Sequence, residues 1–172
     1  MLTASVTKKT LFSALLVALG LVLGYVENVF LPAMPLYGLK IGFSNLVVIY
    51  ALYETGIKNA LTIGVLKAII SGLLFSGIVS IAYGVAGIIL SVFSMKFVKS
   101  CPWFSETGVS VMGSAAFQVG QIIVACTLLK SFAPVYYLAY LLIGSVFCGI
   151  VSGTLIHILR IKLVSLKGFK NE

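Results

Sequence analysis

The sequence predicts an all-α integral membrane protein, a bundle of about six transmembrane helices. Of its 172 residues, 60% are hydrophobic and only 9% are charged, whereas about 25% of the residues of a soluble domain are charged. Apolar runs long enough to cross a bilayer, which requires about 20 residues, alternate with short segments rich in basic residues, proline and glycine. The mean hydropathy of +1.17 agrees with this fold class.

Six apolar runs define the predicted helices of one transmembrane domain, residues 1–172. We place them at about 10–30, 41–53, 60–75, 78–97, 109–129 and 135–159. Pro32 and Pro35 end the first helix. The second helix is short, so we expect it to be tilted or to cross only partly. The first run is too long for a cleaved signal peptide and is interpreted as a retained span.

The distribution of basic residues predicts the orientation. With six spans and a cytoplasmic N-terminus, nine basic residues face the cytoplasm, only Lys40 and Lys130 face outward, and Lys67 lies within a span. This bias follows the positive-inside rule. We therefore expect a multi-pass protein of the cytoplasmic membrane with both termini in the cytoplasm. The net charge of +8 is assigned to orientation in the lipid bilayer rather than to nucleic acid binding.

Several classes of chemistry are disfavoured by what the sequence lacks. The chain has no aspartate, so paired aspartates and a DDxxD metal site are excluded. Its three cysteines form no CxxC pair, and no GxxxxGK[ST] nucleotide-binding motif is present. We expect no catalytic residues, no metal site and no covalently bound cofactor, and we interpret the chain as a protein other than an enzyme.

Polar side chains at membrane depth are the candidate site residues, because each costs a few kcal/mol unless it faces a cavity or a partner. Lys67 lies about 13 Å into the third predicted helix. It either reaches the headgroups or faces the interior and binds an anionic group. Glu27, near the outer end of the first helix, contacts interfacial water, neutralises Lys67 or Lys40, or binds substrate.

Further candidates come from three other helices. Asn45 follows Ser44 at the start of the second helix, which is either ordinary capping or a cradle for a polar ligand. Gln118 and Gln121 share one face of the fifth helix, and Tyr83 adds aromatic surface in the fourth. Together with Lys40, these residues complete the predicted substrate-binding set.

Short motifs in order along the chain resemble the Gx transporter family, whose members are also described as heptaprenyl diphosphate synthase component I. The segment Lys40-Ile41-Gly42-Phe43-Ser44-Asn45 is similar to the KxGxxN segment of that family. Ser80-x-x-Tyr83 and Gly120-Gln121 agree as well. One departure is Phe117-Gln118, where the family often has a His-Asn pair.

The resemblance implies a fold similar to the substrate-binding S components of energy-coupling factor importers. Ala14 and Ala18 have the spacing of the small-residue patch with which S components dock on a coupling subunit. The resemblance also implies flavin as a cargo, and a coupling transmembrane subunit with ATPases as partners.

Three functions remain open at this point. The first is transport of a vitamin-like cofactor, with flavin favoured. The second is a non-catalytic membrane subunit of a prenyl diphosphate synthase, since no aspartate is available to bind magnesium diphosphate. The third is a structural subunit of a membrane redox complex.

Overall fold

A computed structural model describes residues 2–30 and 44–168. Every regular element in these two ranges is helical. In chain order the helices are α1 (Leu2–Phe30), α2 (Asn45–Glu54), α3 (Ile57–Ser71), a π-helical turn (Gly72–Ser76), α4 (Ile78–Lys99), α5 (Glu106–Leu129) and α6 (Val135–Gly168). The predicted fold class, an all-α bundle of about six helices, is confirmed.

Five segments of the described chain are long and apolar enough to cross a membrane: Lys9–Glu27, Ile57–Ser76, Ile78–Lys99, Glu106–Leu129 and Val135–Lys162. Helix α2 has 10 residues, which gives it a length of about 15 Å. A bilayer core is about 30 Å thick, so α2 is too short to span it. The protein is therefore of the multi-pass membrane type. It has five helices of spanning length in the described residues, and the short helix α2 lies among them.

The ends of the helices differ from the predicted ones for identifiable reasons. Helix α5 begins at Glu106 because the Ser105 hydroxyl accepts a hydrogen bond from the Gly108 backbone N–H, at 3.3 Å, and caps the helix. Helix α6 runs on to Gly168, and α1 already begins at Leu2. Hydrophobicity marks only the apolar part of a helix, so these polar extensions were missed. Residues 41–43, predicted as helix, lie outside the described residues.

Contacts between α1, α2 and α3 define their relative directions. Gly20 faces Lys67 and Gly24 faces Ser71, so α1 and α3 run parallel. Gly24 also faces Ser44 and Gly20 faces Val47, so α2 runs antiparallel to both. The N-terminus of α2 therefore lies beside Gly24, in the last third of α1. Gly20 lies about 17 Å along α1 from Lys9, the first residue of the apolar span.

Small residues allow the helices of the bundle to approach closely. A Cβ atom on Gly120 of α5 would lie 2.8 Å from the Ala86 carbonyl oxygen of α4. One on Gly153 of α6 would lie 2.5 Å from Thr107 Cα of α5. Close backbone approach replaces the hydrophobic drive that lipid does not supply between helices. The Gly149/Gly153 pair thus contacts a helix of the same chain.

Candidate functional site

Lys67 is buried in the bundle, with 5% of its surface exposed. Its Nζ donates hydrogen bonds to the Ser44 carbonyl oxygen at 3.0 Å and to Ser44 Oγ at 2.9 Å. Its aliphatic stem crosses α1 at Gly20, where a Cβ atom would lie 2.8 Å from Lys67 Cδ. The ammonium group therefore faces the N-terminus of α2 and not the headgroups.

A small internal cavity of about 20 Å³ adjoins Lys67. It lies between α1, α3 and α4, below the start of α2, and Phe117 of α5 closes one side. Ser44, Ser71 and Ser80 contribute polar lining. The Ser80 hydroxyl is buried and has no hydrogen-bond partner in the described part of the chain. The volume is enough for one water-sized group.

The electrostatics of this cavity favour negative charge. The first N–H groups of a helix lack intrahelical partners and carry a partial positive charge. The N-terminus of α2 and the Lys67 ammonium converge at Ser44, so two sources of positive potential meet beside Gly24 of α1. Such an arrangement stabilises an anion or a carbonyl oxygen. Comparable half-helix starts bind anionic groups of substrates inside other membrane proteins.

Two predicted site residues lie close to this cavity without lining it. Asn45, the first residue of α2, is 2% exposed. Both polar atoms of its carboxamide lack hydrogen-bond partners in the described ranges. Glu27 is buried on α1, one turn beyond Gly24 and on the same helix face. It is the one acidic residue of α1.

The remaining predicted residues are distributed more widely. Tyr83 on α4 and Gln118 and Gln121 on α5 are buried, so they face the bundle interior, but none of them lines the cavity. Lys40 lies outside the described residues. Of the six predicted residues that the structure describes, only Lys67 lines the cavity, and the prediction that all seven residues form one substrate site remains a prediction.

Sequence reasoning missed most of the residues that line the cavity. Ser71 lies one helical turn after Lys67, so it shares the face of α3 that Lys67 occupies. Ser80 and Phe117 line the cavity from α4 and α5. The Gly20/Gly24 pair carried a signal, because two glycines one turn apart leave a groove along α1. The long side chain of Lys67 from α3 occupies this groove.

A second polar cluster ties four helices together at the opposite end of α2. Arg160 of α6 forms an ion pair with Glu106 of α5, lies 3.9 Å from Glu54 Oε1 and covers the Tyr53 ring at 4.8 Å. Lys99 of α4 lies 4.2 Å from the Tyr53 ring centroid and donates a hydrogen bond to the Leu52 carbonyl oxygen at 3.2 Å. We call this group the Arg160 cluster.

Ala14 and Ala18, the predicted docking residues, are both exposed on α1. Apolar neighbours on the same surface, Leu11, Leu15 and Val22, are 58–70% exposed. In the described part of the chain these residues form an exposed surface of α1, and Ala14 also borders α3 across a groove.

Comparison with known proteins adds a family assignment. Residues 16–159 match the family model described as heptaprenyl diphosphate synthase component I. No curated protein and no solved structure matches the chain. The similarity to S components therefore remains a prediction. Because the family match extends over most of the sequence and all six helices, the chain belongs to the heptaprenyl diphosphate synthase component I family.

Proposed function

We propose that this protein is a membrane transport protein that binds a small molecule through an anionic or carbonyl-bearing group at Lys67. The observation that carries the proposal is the buried ammonium of Lys67 at the N-terminus of α2. A lysine at the bilayer centre costs about 2.5–3.5 kcal/mol on insertion scales. A substrate site at mid-depth supplies a reason for such a residue.

Flavin is the proposed cargo. Its ring carbonyls and, in the phosphorylated form, its phosphate are hydrogen-bond acceptors that suit a lysine and a helix N-terminus. The cavity of about 20 Å³ accommodates a group of the size of one water or carbonyl oxygen, and a phosphate requires more space. Small-molecule sites usually measure about 300–1,000 Å³, so binding of a whole flavin requires the helices around the cavity to separate.

Substitution of Lys67 by Met tests this function. Met has a similar length but no charge, so the purified variant should fold and bind flavin at least about tenfold more weakly, a loss of about 1.4 kcal/mol. Quenching of flavin fluorescence by the protein gives the affinity. Lys96→Met, at an exposed position in the last turn of α4, is the matched control and should bind like the wild type.

Equal flavin affinity of Lys67→Met, Lys96→Met and the wild type would contradict the proposal that Lys67 binds the flavin. Helix content by circular dichroism and a single elution peak establish that each variant is folded. Absence of flavin binding by the wild type in reconstituted membranes would also reject this cargo.

We further propose that Ala14 and Ala18 dock a coupling transmembrane subunit that works with ATPases. Both alanines are exposed, and a tryptophan there would obstruct close helix approach. Ala14→Trp and Ala18→Trp should keep ligand affinity and abolish uptake into cells. Ala82→Trp, at an exposed alanine of α4, is the control and should transport normally. Loss of ligand affinity in the α1 variants would show that these alanines belong to the ligand-binding part of the bundle.

A second candidate function is favoured by the family description. A component I of a heptaprenyl diphosphate synthase would act as a membrane subunit that accompanies a catalytic partner. In this role the chain supplies no catalytic group and contacts a synthase subunit. Co-expression with the catalytic subunit distinguishes the two: a stable complex with increased prenyl transfer, together with no flavin uptake, would favour this role over transport.

A further inference from the structure

A second cavity lies apart from Lys67, in a groove between the first half of α1 and the start of α3. Its volume is about 340 Å³, within the range of sites that hold small ligands. Lys9, Thr10 and Ser13 line it from α1, and Asn59 and Thr62 line it from α3. The function proposed above uses Ala14, which also lines this groove, and none of the other lining residues.

The polarity of the groove changes with depth. Its charged and polar residues lie near the start of α1 and α3, where Lys9 begins an apolar span. Val17 lies about 12 Å deeper along α1. On α3, Ile63 and Leu66 likewise follow Asn59 and line the apolar part. A matching ligand has a charged headgroup beside the polar residues at the membrane surface and an apolar chain beside the deeper apolar residues.

The charge of the groove selects an anionic head. Lys9 lines its mouth. Lys58 precedes the lining residue Asn59 on α3 and is exposed without lining the groove, and its carbonyl oxygen accepts a hydrogen bond from the Thr62 hydroxyl at 3.0 Å. Within the described residues, neither lysine has a carboxylate at salt-bridge distance. The Asn59 amide donates one hydrogen bond, to the Thr55 carbonyl oxygen at 3.4 Å, and retains a second N–H.

We propose that this groove binds the phosphate headgroup of an anionic membrane phospholipid. Lys9 contributes the cation, and Asn59 and Ser13 contribute hydrogen bonds. Val17 and Leu66 contact the upper part of an acyl chain. Basic pockets between transmembrane helices bind anionic headgroups in this way. The site is independent of the Lys67 cavity, so it stands whether or not the protein transports a flavin.

Native mass spectrometry of the delipidated protein, with phosphatidylglycerol and phosphatidylcholine of identical chains, tests the site. The wild type should bind phosphatidylglycerol at least about fivefold more tightly than phosphatidylcholine. Lys9→Gln should remove that preference. Lys96→Gln removes an exposed lysine of α4 that does not line the groove, and this variant should retain the preference.

A second variant tests the site independently, in case Lys9→Gln does not fold. Ser13→Ala removes one of the proposed hydrogen-bond donors with a small change in volume and should weaken phosphatidylglycerol binding by a smaller factor. Equal binding of the two lipids by the wild type would overturn the proposal. So would equal losses in Lys9→Gln and Lys96→Gln, since these indicate diffuse surface attraction. Displacement of the lipid by inorganic phosphate at the same concentration would reassign the groove to a soluble anion.

Discussion

Lys67 is the residue on which the candidate site depends. Its burial is costly, and hydrogen bonds from a charged donor contribute about 1.5–3 kcal/mol each. Two such bonds to Ser44 offset an insertion cost of about 2.5–3.5 kcal/mol. The lysine can thus be kept at mid-depth before any ligand arrives. Its position relative to α2 is set by the protein and needs no substrate.

Gly20 makes that position accessible to Lys67. A Cβ atom there would lie 2.8 Å from Lys67 Cδ, whereas the nearest atom to one on Gly24 is Ser44 Cβ, at 3.8 Å. The first distance is a steric overlap and the second is ordinary contact. Two glycines one turn apart on α1 therefore differ in what an added methyl group would displace.

Gly20→Ala and Gly24→Ala form a matched pair that tests this difference. Gly20→Ala should destabilise the protein by about 1–3 kcal/mol through overpacking, whereas Gly24→Ala should be neutral or slightly stabilising. Both gain the same helix propensity, so the comparison isolates the contact with Lys67. Unfolding in detergent with increasing denaturant gives the two stabilities. Equal stabilities would mean that the Lys67 stem does not cross α1 at Gly20.

At the scale of elements, α2 is held at both ends. Ser44 at its start accepts two hydrogen bonds from Lys67 of α3. At its end, Tyr53 lies between Lys99 and Arg160, and Glu54 lies near Arg160. A helix of 10 residues has little stability of its own. These contacts, together with its buried apolar residues, hold α2 in the bundle.

Loss of Arg160 should therefore loosen the end of α2. Arg160→Met should lower the free energy of unfolding by an amount on the order of 1 kcal/mol, since the pairs are partly exposed but form a network. Lys162→Met, at an exposed position on the same helix, should have almost no effect. Thermal denaturation in detergent measures both.

A double-mutant cycle with Glu106→Gln assigns the effect to the ion pair. The Glu106 substitution should cost less in the Arg160→Met background than in the wild type. Strict additivity of the two changes would contradict the proposed role of the pair.

At the scale of the whole molecule, the helix directions collect the basic residues at one end. The Arg160 cluster joins the ends of α2 and α4 to the start of α5 and to α6. Lys9 and Asn59 line one groove at the starts of α1 and α3. Lys130, which follows α5, lies at the opposite end of that helix from Glu106. The end of the bundle that holds the Arg160 cluster and Lys9 therefore carries more basic residues than the end that holds Lys130.

Cysteine labelling in intact cells tests the predicted orientation. In a variant without its three native cysteines, Lys130→Cys should react with a membrane-impermeant thiol reagent added outside. Lys99→Cys should react only after the membrane is permeabilised. Both positions are exposed, so accessibility differs only through the membrane. The reverse pattern would place the Arg160 cluster outside and invert the topology.

Composition and hydrophobic patterning determined the fold class of this protein, because spanning helices must satisfy every backbone hydrogen bond internally and be apolar throughout. The same physics made Lys67 conspicuous, since an ionisable residue inside an apolar run is expensive. Charge placement predicted which helix ends share a side. These inferences depend on local sequence, so no knowledge of packing was required.

Only the tertiary structure decided which residues meet Lys67. Ser44 and Lys67 are 23 residues apart, and their contact depends on α2 beginning beside Gly24 of α1. Ser71, Ser80 and Phe117 line the cavity through the rotation and crossing of α3, α4 and α5. Hydrophobicity cannot predict these rotations, because lipid leaves all apolar helix faces nearly equivalent and the packing of small residues selects among them.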